Sequence, residues 1–219
     1  MALSRAWDWE KETSGLWLEA SEESYYLAGR WKKQGYADVL DFGCGLGRHA
    51  VFFARAGFRV SAFDLSPAAA AHLTAWAARE ELPVRVETAD MLSLPFADDS
   101  FDAIFAYHVV SHTDTAGIRT ILGEIRRVLR PGGEVYLTLC SKETWSFRDS
   151  GYPRLDENTL VKIGGPEDGI PHFYVTLDDV FPLFSDFQIK RIRHIDECYT
   201  EGDLQNSKHY FILAGRPKE

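Results

Sequence analysis

One short stretch of the chain concentrates residue types that bind ligands through the backbone. Residues 39–50 read VLDFGCGLGRHA, in which Asp41 is followed by glycines at positions 43, 45 and 47. Glycine adopts positive φ without steric cost and lets a ligand approach the main chain closely. Backbone N–H groups at the start of a helix attract polar groups. We therefore predict a ligand-binding turn between a strand and a helix. A tight turn that binds nothing is the alternative, although three glycines in five residues are more than a bare turn needs.

The glycine spacing separates two classes of nucleotide-binding turn. The dinucleotide pattern is G-x-G-x-x-G, whereas this chain has G-x-G-x-G, with Arg48 where a last small residue would pack. Asp64 follows a second apolar run, 21 residues beyond Gly43. A carboxylate at that position can accept hydrogen bonds from ribose hydroxyls, as in many dehydrogenases, so Asp64 alone does not distinguish the classes.

Over about residues 36–140 the sequence resembles the class I S-adenosylmethionine-dependent methyltransferases that act on small molecules (methyltransferase type 11-like). The resemblance is carried by DFGCGLG at 41–47, FDLSP at 63–67, ETADMLSLPF at 87–96 and EIRRVLRPGGEVYLTL at 124–139. It implies S-adenosylmethionine as the cofactor, with Asp64 on the ribose hydroxyls, Asp90 on the adenine amino group and Met91 flanking the ring. The full set of cofactor-binding candidates is Asp41, Gly43, Cys44, Gly45, Gly47, Asp64, Leu65, Asp90, Met91 and Tyr107.

The same resemblance puts the methyl acceptor beyond the fourth strand, where the chain reads AYHVVSHTD at 106–114. Histidine suits proton transfer near neutral pH, so His108 and His112 are the candidate catalytic bases. A purely structural histidine is the alternative for each. His108, His112 and Asp114 are also metal-ligating residue types. A strand end followed by a loop, with no further ligand apparent, leads us to predict no metal site.

Two other segments supply candidate acceptor-binding residues. The N-terminal arm is rich in aromatic residues, from which we select Trp17 and Tyr26. Residues 141–175 contain many turn formers and weak periodicity, and a loop of that length is usually functional. We predict that it forms a substrate lid carrying Trp145, Arg148 and His172. Packing and surface charge are the alternatives for all five residues.

Short apolar runs alternate with helical patterns from residue 38 onward, an order typical of a parallel sheet with helices on both faces. We predict an α/β, doubly wound, Rossmann-like domain with an N-terminal helical cap, and the resemblance implies seven strands. The expected segments are a cap at 1–35, a cofactor-binding core at 36–140, the lid at 141–175 and a final helix with a strand pair at 176–219. Predicted strands cover 39–42, 58–63, 84–88, 101–107, 134–139, 187–194 and 209–214.

Composition narrows the possible partners and location. The 219 residues fit one domain, and a formal net charge of −9 opposes non-specific binding to nucleic acid or anionic lipid. Three dispersed cysteines form no metal-binding or disulfide pattern, and no apolar run reaches membrane-spanning length. We expect a cytoplasmic monomer or homodimer that binds neither nucleic acid nor membranes.

These observations together predict an enzyme that transfers the methyl group of S-adenosylmethionine to an O, N or C atom of a small-molecule acceptor. S-adenosylhomocysteine is the expected second product. An NAD(P)-dependent oxidoreductase would share the strand, the glycine turn and Asp64. A non-catalytic S-adenosylmethionine-binding module would share the whole cofactor site.

Overall fold

The strand that precedes the glycine turn lies in the interior of the central sheet, with a strand paired on each side. The computed structural model describes residues 2–11, 15–198 and 205–218. Its strands are β1 Asp38–Phe42, β2 Arg59–Asp64, β3 Val84–Thr88, β4 Phe101–Ala106, β5 Leu129–Ser141, β6 Arg154–Asp156, β7 Thr159–Val161, β8 Pro171–Val175, β9 Gln188–Glu197 and β10 Ser207–Gly215. Its α-helices are α1 Glu22–Lys33, α2 Arg48–Arg55, α3 Pro67–Arg79, α4 Thr115–Val128, α5 Trp145–Arg148 and α6 Leu177–Leu183. Short 3₁₀ turns occupy Trp9–Lys11, Gly15–Leu18 and Gly165–Glu167.

Seven strands lie in the order β3-β2-β1-β4-β5-β10-β9. The first five are parallel, and β10 runs antiparallel to both of its neighbours. This order confirms the predicted doubly wound α/β sheet. Because β1 pairs with both β2 and β4, the strand order reverses at β1. Ligands bind at such a switch point, beyond the carboxyl ends of the strands.

Two hydrophobic cores cover the two faces of the sheet. Leu40 and Phe42 belong to the core beneath α4 and α6, whereas Val39 belongs to the core beneath α1, α2 and α3. Alternate residues of a strand point to opposite faces, so β1 contributes to both cores. Both faces are therefore apolar and packed, as expected for a parallel sheet.

The segment 141–175, predicted as a loop, instead contains α5, β6, β7 and β8. β8 continues the sheet by pairing in parallel with the end of β5, and β7 and β6 follow it in antiparallel order. The loop prediction was wrong because these strands are only three to five residues long. Such short strands show no readable periodicity, and their pairing depends on the length of β5.

The ends of several predicted elements also differ from the structure. Helix α2 begins at Arg48, two residues later than the sequence pattern suggested, because Gly45 and Gly47 still belong to the turn.

Within residues 2–11, 15–198 and 205–218, no helix combines the length and the apolar character needed to cross a membrane.

A buried carboxylate attaches α1 to the sheet. Glu134 of β5 is fully buried and accepts hydrogen bonds from Arg30, Trp31 and Gln34 of α1 and from Lys190 of β9. Burial alone would raise the pKa of Glu134, but the hydrogen bonds from Arg30 and Lys190 outweigh it and lower the pKa to about 2. The charged form of Glu134 therefore stabilises the folded state.

We predict that Glu134→Gln lowers the free energy of unfolding at neutral pH by about 3 kcal/mol, since each unit of pKa shift corresponds to about 1.4 kcal/mol. A carboxyl with a lowered folded-state pKa contributes stability above its unfolded pKa, and this contribution is lost as the pH falls through the folded value. The difference between wild type and variant should therefore shrink between about pH 4.5 and pH 2. Urea titrations across this range measure it.

Glu87→Gln is the matched control, because Glu87 pairs with Arg85 at an exposed position. We expect this variant to change stability little at any pH. A wild type and a Glu134→Gln variant of equal stability at neutral pH would contradict the role assigned to Glu134.

Candidate active site

The glycine turn lies at the switch point and has the backbone conformation that only glycine adopts readily. Gly43, Gly45 and Gly47 have φ values of +66°, +52° and +98°. A Cβ on Gly43 would lie 2.2 Å from Val109, and one on Gly47 would lie 2.4 Å from Leu73. Both the conformation and the close packing therefore require glycine at these positions.

Asp64 ties this turn to the end of β2. Its Oδ2 accepts the Gly45 N–H at 2.9 Å, and its Oδ1 accepts the Ser66 N–H at 2.9 Å. Burial raises the pKa of Asp64, and these backbone hydrogen bonds oppose the rise. Each carboxylate oxygen has a second lone pair, so the side chain retains capacity for a ligand hydroxyl.

Asp41, at the end of β1, is a buried carboxylate beneath the same turn. It is 2% exposed, and its Oδ2 has no hydrogen-bond partner among the described residues. Burial raises the pKa of Asp41 to about 7, although the nearby Arg48 favours the charged form. An unpartnered carboxylate oxygen beside bare backbone fits a ligand that brings a cationic or hydrogen-bond-donating group.

A cleft with an empty volume of about 750 Å³ opens above the turn. Of the predicted cofactor-binding residues, Gly43, Cys44, Gly45, Asp64, Leu65, Met91 and Tyr107 line it. Asp41, beneath the turn, and Gly47, within it, are not among the described residues that line the cleft. Asp90 is likewise not a lining residue within the described ranges; its Oδ1 accepts the Leu92 N–H at 2.9 Å.

Residues 3–9, at the start of the N-terminal arm, close over this cleft. Trp7, Trp9 and Trp17 form a cluster with ring centroids 5.5–5.6 Å apart, and all three line the cleft. A Cβ on Gly45 would lie 2.4 Å from the Trp9 ring, so the arm rests directly on the glycine turn. Sequence analysis selected Trp17 but missed Trp7 and Trp9, although the unusual number of tryptophans before β1 was the available signal.

The arm is held in place by residues from the far side of the cleft. Thr113 Oγ1 donates to the Leu3 carbonyl at 2.7 Å, and the Asp8 N–H donates to the Pro166 carbonyl at 3.1 Å. The buried indole N–H groups of Trp7 and Trp9 have no partner in the part of the chain that the structure describes. Donors of this kind are usually bonded, so they are available to a bound molecule.

Two histidines line the cleft on the β4 side. His108 has a φ of +55°, and its N–H donates to Thr138 Oγ1 at 2.7 Å. Burial, with a further contribution from His209, holds the pKa of His108 well below its usual range. Burial and the neighbouring His172 lower the pKa of His112 to about 3. Both side chains are therefore neutral at physiological pH and have a lone pair that can accept a proton.

His172, predicted as an acceptor-binding residue, lies beside His112 with the ring centroids 4.6 Å apart. Glu167 completes this group and is within 3.6 Å of His112 and 2.9 Å of His172. Sequence analysis missed Glu167, which sits in the turn-forming segment GPEDG. No local pattern indicates that this glutamate faces histidines from two other segments.

The three remaining predicted acceptor residues lie elsewhere. Tyr26 lines a second cavity, of about 620 Å³, between α1 and the strands β5, β9 and β10. Trp145 and Arg148 belong to α5, which is anchored through the bond from the Trp145 N–H to Asn206 Oδ1 at 2.9 Å. Neither is a lining residue of the main cleft within the described segments. A role in acceptor binding for these three remains a prediction.

Comparisons with known proteins agree with this geometry. Residues 39–133 match the family described as Methyltransferase domain. A malonyl-[acyl-carrier protein] O-methyltransferase from Pectobacterium atrosepticum is 32% identical over 118 residues, which cover 54% of this chain and 44% of that protein. The chain spans about half the length of such curated relatives.

Solved structures share the fold. A SAM-dependent methyltransferase from Methanosarcina mazei superposes with a TM-score of 0.70 at 23% identity, covering 83% of this chain and 93% of that one. The 1,6-didemethyltoxoflavin-N1-methyltransferase of Burkholderia thailandensis, determined with bound 1,6-didemethyltoxoflavin and S-adenosylhomocysteine, gives a TM-score of 0.64 at 18% identity and covers 90% of this chain and 80% of that one. Residues 39–133, which contain the glycine turn at the switch point, are therefore similar to a methyltransferase domain, and the chain shares its fold with solved methyltransferase structures.

Proposed function

We propose that this protein binds S-adenosylmethionine in the main cleft and transfers its methyl group to a small-molecule acceptor. The observation that carries the proposal is the glycine turn, in which three residues have positive φ and the Gly45 N–H donates to Asp64 beside the cleft. The bound cofactor supplies a methyl group already activated on a sulfonium. The chain's own contribution is to bind, to align and to exclude water.

The proposed cofactor contacts follow the cleft from one end to the other. Asp64 would accept hydrogen bonds from the ribose hydroxyls through its remaining lone pairs, and Leu65 and Met91 would contact the adenine ring. Asp90, in the loop after β3, would accept a hydrogen bond from the adenine amino group. Asp41 would compensate a cationic group near the glycine turn. The partner-free Asp41 oxygen supports this last assignment.

The tryptophan cluster would exclude water from the donor methyl. Its three indole rings line the cleft and that of Trp9 rests on Gly45. Arg48 lies 4.8 Å from the Trp17 ring and 5.6 Å from the Tyr107 ring. Flat aromatic walls suit a planar acceptor, and aromatic faces also attract cations. The acceptor, at an O, N or C atom, would enter on the side of His108 and His112.

We also propose that the chain acts in the cytoplasm as a monomer or homodimer, without nucleic acid or membrane partners. Its net charge of −9 supports this by opposing polyanion binding. Size-exclusion chromatography with light scattering measures the oligomeric state, and a protein of higher order than a dimer would contradict the proposal.

Calorimetry distinguishes the proposed function from an oxidoreductase. We expect S-adenosylhomocysteine to bind at one site per chain and NAD to give no saturable heat, because the turn departs from the dinucleotide spacing. Binding of NAD without S-adenosylhomocysteine would overturn the proposal.

We predict that Gly45→Ala weakens S-adenosylhomocysteine binding at least tenfold. Residue 45 has a left-handed backbone conformation, which alanine adopts poorly. The new Cβ would also displace Trp9 from the turn. Isothermal titration of wild type and variant measures the effect.

Gly29→Ala is the control, because Gly29 lies in α1 and a Cβ there meets nothing within 4 Å in the described part of the chain. This variant should bind like wild type and be at least as stable. Equal affinity of Gly45→Ala and wild type would remove the glycine turn from the cofactor site.

We predict that His108→Ala and His112→Ala each reduce methyl transfer about 100-fold or more while leaving S-adenosylhomocysteine affinity nearly unchanged, as expected for a general base. Transfer of labelled methyl from S-adenosylmethionine into fractionated cell extract measures turnover.

Burial lowers the pKa of His112 to about 3, so this histidine stays unprotonated from about pH 8 down to pH 5. Wild-type activity should therefore show no loss near pH 6.5.

His194→Ala is the matched control, since His194 stacks on Tyr210 outside the cleft. Parallel loss of turnover and cofactor affinity in the cleft variants would indicate structural histidines. Tight cofactor binding with no methyl transfer to any extract component would favour a non-catalytic binding module.

A further inference from the structure

Three side chains form a group beside the acceptor end of the cleft, and the proposed methyl transfer uses only one of them, His112. His112 follows β4, Glu167 ends the 3₁₀ turn at Gly165–Glu167, and His172 lies in β8. One ligating atom from each lies within 4.8 Å of the others. The group combines two imidazoles with one carboxylate.

Both ring nitrogens of His172 face oxygen acceptors, and only one of them can donate a hydrogen bond when the ring is neutral. Its Nδ1 lies 3.1 Å from the Ile170 carbonyl oxygen, and its Nε2 lies 2.9 Å from Glu167 Oε1. A neutral imidazole has only one N–H and cannot donate to both oxygens. When Nδ1 donates to the carbonyl, the Nε2 lone pair points toward a carboxylate oxygen. Metal-bound histidines commonly have this arrangement, with the distal nitrogen on a backbone carbonyl and the other on the metal.

Two of the three separations between ligand atoms are close to those around a small cation. Bonds of about 2.0–2.1 Å in tetrahedral geometry place neighbouring ligand atoms about 3.3 Å apart. Glu167 Oε1 lies 2.9 Å from His172 Nε2 and 3.6 Å from His112 Nε2, values on either side of that distance. Small side-chain adjustments would therefore bring all three atoms into a first coordination sphere.

We propose that His112, Glu167 and His172 bind one divalent transition-metal ion of the zinc type. The donor set of two imidazoles and one carboxylate is common for zinc, and three protein ligands leave a coordination position open. His112 lines the main cleft, so an ion bound by this group would lie next to the acceptor end. If the proposed methyl transfer holds, metal-bound His112 would act as a ligand and His108 as the general base, and the acceptor would reach the metal through an oxygen or nitrogen donor.

Lys162 sets the expected strength of this site. Its ammonium pairs with Glu167 Oε2, so the carboxylate would bind the metal through Oε1 alone. The lysine also cancels the carboxylate charge and repels a dication, which makes the site weaker than one with a free carboxylate. We expect Lys162→Met to tighten metal binding, whereas loss of a purely structural ion pair would not.

Zinc titration of tag-free, chelator-stripped protein by calorimetry tests the proposal. We expect one zinc ion per chain. Glu167→Gln preserves the side-chain shape and His172→Asn removes a ligand, and each should weaken binding at least tenfold. Lys162→Met should strengthen it at least threefold. The absorption spectrum of the cobalt(II)-substituted protein should show tetrahedral coordination that disappears in Glu167→Gln.

Cys198→Ser and His194→Ala are the controls, because Cys198 is an exposed thiol and His194 is a histidine outside the group. Both should bind zinc like wild type. S-adenosylhomocysteine binding by every variant checks that it is folded and tests the cofactor site independently. A wild type that binds S-adenosylhomocysteine but not zinc would overturn the metal site alone, as would zinc binding unchanged by Glu167→Gln and His172→Asn.

Discussion

The turn between β1 and α2 is under a steric constraint from three directions. At Gly43, Gly45 and Gly47 a Cβ would lie 2.2–2.4 Å from Val109, Trp9 and Leu73. These three neighbours belong to the segment after β4, the N-terminal arm and α3. The cleft walls therefore meet on bare backbone, and a side chain at any of the glycines would separate them. The shape of the cleft depends on this contact.

The sheet brings the remaining groups to the same place. Parallel strands end at one edge, so Asp64 of β2 and the histidines after β4 lie on either side of the turn. Burial then determines their charge, because it raises the pKa of Asp41 and lowers the pKa of His108 and His112. The result is a cleft with neutral imidazoles at one end and carboxylates beneath the other. Such an environment suits alignment of a sulfonium methyl with an acceptor.

Much of the core could be predicted because its elements have local signals. The strand β4 is a nearly continuous apolar run, and Thr176 caps α6 with a capping box formed with Asp179. The signals failed in 141–175, where the strands are short. Within the site, the glycines and Asp64 follow a spacing rule, whereas Glu167 does not. Its position depends on β8 joining the end of β5, which brings His172 to the same region.

The sequence by itself determined the class of fold and the glycine turn, and it supplied the hypothesis for the ligand of that turn. These features depend on backbone conformation and on periodicity within about 20 residues, and both are determined by residues close together in the sequence. Only the tertiary structure decided that Trp9 rests on Gly45, that Tyr26 faces a different cavity, and that His112, Glu167 and His172 meet. These contacts join segments distant along the chain. Their geometry depends on how the strands pair and how the helices pack on the sheet, and local sequence patterns do not predict it.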